Sequence, residues 1–221
     1  MDVLARLDET RTAINVLEHP FYQRWSAGEL SAAELDCYAG EYRHAVVALA
    51  RASQQAAECA AGPDAPAAGH SAELLEHARE EAAHVQLWDQ FAGALASSGR
   101  ADGEQSANEQ TLACAQAWSA GEDLLENLAV LYAIEAGQPE ISATKLAGLA
   151  EHYGFSEEGP ATEYFRVHEQ LDVEHARQAR ELIARLLAES ADPEEQAERM
   201  LARAREALRG NWLLLDGVEA A

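Results

Sequence analysis

The chain has 221 residues, 39 of them acidic and 16 basic, for a formal charge of −23. That balance excludes a nucleic-acid binder, which needs a basic footprint to neutralise phosphates, and it disfavours anionic membranes. Apolar residues make up 48%, enough for the core of a single domain over 1–221, and no apolar run approaches the ~20 residues that cross a bilayer.

Residues 2–18 alternate apolar and charged positions with helical period, and His19-Pro20 interrupts them. A short segment from Phe21 to Ala27 ends at Gly28, and Ser31-Ala-Ala-Glu34 reads as a capping box opening a helix to about residue 60. Residues 61–70 form a loop, and Ser71 caps a helix to about Ser97. After a polar loop over 98–106, Ser106-Ala-Asn-Glu109 reads as a second capping box. Helices are then expected near 107–119 and 121–136, broken by Gly137 and Pro139, and over 142–153 and 161–190. Asp192-Pro193 opens a last helix to about 209. With no strand pattern, seven or eight helices make an all-α bundle. Cys37, Cys59 and Cys114 form no C-x-x-C pair, and Met1 to Arg6 lacks the layout of a signal peptide, so a cytoplasmic protein with reduced, mostly structural thiols is expected.

The densest chemistry lies in His168-Glu-Gln-Leu-Asp172-Val-Glu-His175. Positions i, i+4 and i+7 leave a helix within roughly 40° of one another. Two imidazoles and a carboxylate on one stripe suit a divalent transition metal better than Mg²⁺ or Ca²⁺. His168 and His175 lie roughly 10 Å apart along the axis, which assigns them to different metals with Asp172 between. Glu81-Ala-Ala-His84 repeats the carboxylate–imidazole turn on another helix. Taken singly, such a pair in a glutamate-rich chain reads as a solvated face, and Glu76-His77 and Glu151-His152 read that way. Glu135 closes Leu128-Ala-Val-Leu-Tyr-Ala-Ile-Glu135, the most apolar stretch. It either reaches solvent at the helix end or must be paired or metal-bound. Together, Glu81, His84, Glu135, His168, Asp172 and His175 give three carboxylates and three imidazoles from three helices. The carboxylates offset most of the charge of two divalent ions, and Glu81 and Glu135 are natural bridges. Of the 16 basic residues only one is lysine, Lys145.

These residues and their flanks resemble the haem-oxygenase-like di-iron oxidases, the fold also of thiaminase-II enzymes and pyrroloquinoline-quinone synthase. Within them the chain is most similar to the p-aminobenzoate synthases, the group of the chlamydial protein associating with death domains. The motifs are His19-Pro-Phe-Tyr-Gln-Arg-Trp25 with Gly28-Glu-Leu30; Glu81-x-x-His84-Val-Gln-Leu-Trp88; Glu135-Ala-Gly-Gln-Pro-Glu-Ile141; Tyr164-Phe-Arg-Val-His168-x-x-x-Asp172-x-x-His175; and Trp212-Leu-Leu-Leu-Asp-Gly217. The resemblance implies a haem-oxygenase-like helical bundle and two iron ions, or a mixed Mn/Fe pair, that activate O₂. It implies a sacrificial lysine at Lys145 and reactant tyrosines at Tyr22 and Tyr164, the latter one turn before His168. Against it, Ile134 stands where those synthases have a tyrosine, and Lys145 equally suits an ordinary surface helix. Expected partners are O₂ and either the protein's own side chains or an external amino acid, amine or fatty acid, in a monomer or a homodimer. A metal-free thiaminase-like protein and a helical interaction module are the remaining alternatives.

Overall fold

The computed structural model describes residues 2–62, 65, 67–96 and 106–221. Those residues form nine α-helices and no strand: α1 Val3–Ala13, α2 Pro20–Ala27, α3 Ala32–Cys59, α4 Ser71–Leu95, α5 Glu109–Trp118, α6 Leu124–Glu135, α7 Gln138–Glu151, α8 Glu163–Glu189 and α9 Pro193–Glu219. The segment after His19-Pro20 is itself two turns of helix, which brings the count to nine. The expected end of α4 at Ser97 and most of the 98–106 loop lie outside the described residues.

The Ser31–Glu34 capping box is present, with Glu34 Oε2 accepting from the Ser31 backbone at 2.8 Å. Elsewhere the boundaries differ from expectation for identifiable reasons. Asn108, not Ser106, caps α5 through its side chain, which accepts from Thr111 N at 2.7 Å. Ser71 is the first residue of α4 rather than its cap. Pro139 sits in the first turn of α7, where a missing N–H costs nothing, so α7 begins at Gln138. α9 runs through Gly210 and Gly217 to Glu219, because those glycines face Cys114 and Asn108 across a close helix crossing.

α6 is the centre of the bundle. Eleven of its twelve residues are buried, as expected of a helix apolar all round. It contacts α3, α8 and α9, while α4 lies against α3 and α8. α2 is tied to the far end of the chain through His19, whose Nδ1 caps the helix by accepting from Phe21 N at 3.0 Å. Its Nε2 donates to Asp216 at 3.1 Å, and its ring meets Trp212 edge-on at 4.8 Å. The His19-Pro-Phe-Tyr and Trp212…Asp216 motifs are thus two halves of one joint.

Gly148 fixes how closely α7 approaches α2. A Cβ there would stand 2.5 Å from Trp25 Nε1 and 2.6 Å from Cδ1, and that indole N–H donates to the Lys145 carbonyl at 3.3 Å. Gly148→Ala is expected to lower the denaturant midpoint by an amount equivalent to about 1–3 kcal/mol, the usual cost of overpacking. An unchanged midpoint in equilibrium unfolding would contradict this packing.

Candidate metal centre and lysine cage

The six sequence-selected residues converge in the interior where α4, α6 and α8 meet. Glu135 and His168 and Asp172 are fully buried, and Glu81, His84 and His175 nearly so. Glu135 does not reach solvent at the end of α6, which answers the alternative left open by sequence. α4 and α8 run antiparallel here: His84 faces His168, with ring centroids 4.4 Å apart, and one end of the cluster is closed by His175 against His77 at 4.1 Å.

His77 was read from sequence as a solvated residue, and that reading is corrected here. Its Nε2 lies 3.0 Å from Glu135 Oε1 and 4.0 Å from Glu81 Oε1. The sequence carried a signal for it: His77-x₃-Glu81-x₂-His84 repeats the spacing of His168-x₃-Asp172-x₂-His175. Two groups of ligand atoms each lie within 4.8 Å of one another, His77, Glu81 and His175 in one and Glu81, His84 and His168 in the other. Glu81 belongs to both, the position of a bridge.

The cluster is under-satisfied as a purely protein environment. Among the described residues, His77 Nε2, Glu81 Oε2, both oxygens of Glu135 and of Asp172, His168 Nε2 and His175 Nδ1 are buried without a hydrogen-bond partner. So many orphaned donors and acceptors in one place call for a charged third party, since each costs on the order of 1–3 kcal/mol unpaired. The other nitrogens are committed. His168 Nδ1 donates to the Tyr164 carbonyl at 2.7 Å, which leaves Nε2 as a lone pair. His175 Nε2 is 3.0 Å from Glu80 Oε2, so its Nδ1 faces inward. Such outer contacts set tautomer and ring orientation in metal-binding histidines. Glu80 is a second residue that sequence reasoning passed over.

Electrostatics agree. Burial alone would raise Glu81, but the hydrogen bond with His84 and the nearby imidazoles hold it down at about 2. Burial lifts Asp172 to about 6, against the pull of His175 and His168. Burial opposes a charge on His77, yet Glu135, Glu81 and Asp172 outweigh it and lift the imidazole to about 9. A group of anionic oxygens that draws protons onto its histidines is one that a cation would displace protons from.

Lys145 is 1% exposed, not a surface residue. Its Nζ sits 4.8–5.4 Å from the ring centroids of Tyr22, Tyr38, Tyr42 and Phe165, with Trp88 at 5.8 Å, and donates to Tyr38 Oη. Burial pushes its pKa well below that of an ordinary lysine. The rings come from α2, α3, α4 and α8, and of these tyrosines sequence had singled out only Tyr22. Tyr22 Oη is buried next to the Tyr38 hydroxyl, and burial holds the phenols of Tyr22, Tyr38 and Tyr164 protonated. Tyr164 joins cage and cluster: it stacks on His168 at 4.1 Å and meets Trp88 edge-on at 4.8 Å.

A helical bundle enclosing a buried set of histidines and carboxylates has the donor set of a transition-metal centre. Residues 59–212 match the family described as iron-containing redox enzymes, and the chain belongs to that haem-oxygenase-like family. Among its relatives are proteins named 4-aminobenzoate synthase. The one from Chlamydia trachomatis is 34% identical over 200 residues, covering 87% of this chain and 84% of the relative. That from Nitrosomonas europaea is 32% identical over 227 residues, covering 96% and 89%. Two solved structures share the fold. A TenA homologue from Pseudomonas syringae pv. tomato superposes with a TM-score of 0.81 at 18% identity, covering 99% of this chain and 91% of that one. A domain with a haem-oxygenase-like fold from Shewanella denitrificans gives 0.73 at 17%, covering 100% and 93%. Among the described residues no helix is long and apolar enough to cross a membrane.

Proposed function

We propose that this chain is a dinuclear non-haem iron oxidase that uses O₂ to make 4-aminobenzoate from its own side chains, Tyr22 supplying the ring and Lys145 the amino nitrogen. The observation that carries this reading is the buried Lys145 amine, boxed by tyrosine rings one aromatic layer from the His/carboxylate cluster. Relatives that are about one-third identical and named 4-aminobenzoate synthase support it.

Glu81, His84, Glu135, His168, Asp172 and His175 would hold two iron ions, or one manganese and one iron, and their orphaned atoms suit that load. The bound metals would supply the oxidising chemistry with O₂. The chain's residues do the rest. Desolvation favours the neutral Lys145 amine, whose lone pair a charged lysine lacks. Tyr38 fixes the position of Nζ. The Tyr22 hydroxyl is fully buried beside Tyr38. Ile134 removes a phenol from beside Glu135, and Tyr164, stacked on His168, stands between metals and cage.

The cleft that reaches His77 and His175 has about 30 Å³ of space, room for a water or O₂. An external amino or fatty acid needs a chamber on the order of 300 Å³ or more, so the cleft favours an internal substrate. Because Lys145 is the sole lysine, protein grown on ε-¹⁵N-lysine carries the side-chain label at one place. Mass spectrometry is expected to find that label in the 4-aminobenzoate, at no more than one molecule per chain. Unlabelled product, or many turnovers per chain, would sink the self-substrate reading.

A further inference from the structure

We propose that His77 is a seventh ligand of the centre, giving the metal position served by His175 and Asp172 a second imidazole to match the His84–His168 pair at the other position. The proposal rests on the reading of this cluster as a two-metal site and deepens it.

Four observations carry it. His77 stands at i, with Glu81 and His84 at i+4 and i+7, on the same stripe of α4. α8 presents His168, Asp172 and His175 at the same spacing, and the two helices are antiparallel, so each end of the cluster receives one histidine from each helix. His77 Nε2, Glu81 and His175 place ligand atoms within 4.8 Å of one another, a spread that small side-chain rotations close onto one ion. Finally, His77 Nε2 lies 3.0 Å from Glu135 Oε1, so the ring nitrogen is turned into the carboxylate cluster and not toward solvent.

The centre then holds four imidazoles and three carboxylates, two imidazoles per metal, where the six residues first selected give an average of one and a half. X-ray absorption on the wild-type protein loaded anaerobically with ferrous iron reads this number directly, and two imidazoles per iron is the expected result. A value of one and a half overturns the proposal without any variant. His77→Gln is expected to lose one imidazole in the same measurement. It should also weaken one of the two irons by more than about 100-fold, beyond what losing an outer contact costs, while far-ultraviolet circular dichroism and the metal-free melting midpoint show it folded. Retention of both irons at wild-type affinity overturns it. A wild type that takes up no iron fails at the first step and overturns the two-metal reading itself, an outcome distinct from loss confined to the variant.

Discussion

Lys145→Met is expected to abolish 4-aminobenzoate formation and, in the same protein, to raise the melting temperature. Both effects have one cause. The amine sits among rings at 1% exposure, with Tyr38 Oη as its hydrogen-bond partner. Burial depresses its folded-state pKa well below the unfolded value of 10.5. The linkage sign follows. Between the depressed value and 10.5 the unfolded chain binds a proton that the native chain does not, so stability rises with pH across that window. Below the depressed value both states are charged and the native state bears the whole cost. Methionine fills a similar volume, contacts aromatic faces well and carries no charge. The gain is expected to be on the order of 1–3 kcal/mol at neutral pH, about 2–10 °C for a chain of this size. It should shrink as pH approaches 10.5. Thermal unfolding of metal-free wild type and variant across pH checks it. A variant less stable than wild type at neutral pH would mean that the cage favours the amine it encloses. A more stable, inactive variant is the pattern of a site held against the interest of the fold.

The second large effect concerns Asp172. Asp172→Asn is expected to abolish metal-dependent stabilisation while making the metal-free protein more stable. In wild type, a ferrous ion at a hundredfold excess over its Kd adds about 2.7 kcal/mol, or about 5–10 °C per ion. Without the Asp172 carboxylate, the α8 stripe loses its anionic centre and that shift disappears. In the metal-free protein both Asp172 oxygens are buried and unpartnered, and burial raises its pKa to about 6. A raised carboxylate pKa contributes stability that is fully present below 3.8 and lost as pH rises through about 6. At neutral pH the wild type bears that loss, on the order of 3 kcal/mol, and the asparagine does not. Anaerobic melts with and without ferrous iron at pH 7 measure both halves. An unchanged iron-dependent shift in the variant would remove Asp172 from the ligand set.

Much of this was legible in the primary structure, and the exceptions are physical. The α8 stripe was readable because one helix carries it whole, and periodicity fixes which side chains share a face. His77 was missed because it was weighed against its neighbours in the chain. Its partners, Glu135 and His175, come from other helices, and only the repeated i, i+4, i+7 spacing of α4 pointed to it. The environment of Lys145 was closed to such reading. Its cage needs α2 brought against α7 by the Gly148–Trp25 contact and rings delivered by α3, α4 and α8. A lone lysine on a short helix carries no mark of that burial. The length of α9 was misjudged for a related reason: a glycine stops a helix only where it takes the left-handed turn, and Gly210 and Gly217 instead admit a neighbour.

The antiparallel pairing of α4 and α8 has a consequence for how the centre fills. The cleft touches the cluster at His77 and His175, whereas His168 is fully buried and stacked on Tyr164, which meets Trp88 edge-on. Two ions held as proposed would then fill in series from the His77–His175 end. An ion destined for His84 and His168 would pass the outer position, and an ion seated there would act as a cork. Order of arrival as well as affinity would decide which metal sits where, so protein loaded with manganese before iron is not expected to match protein loaded in reverse.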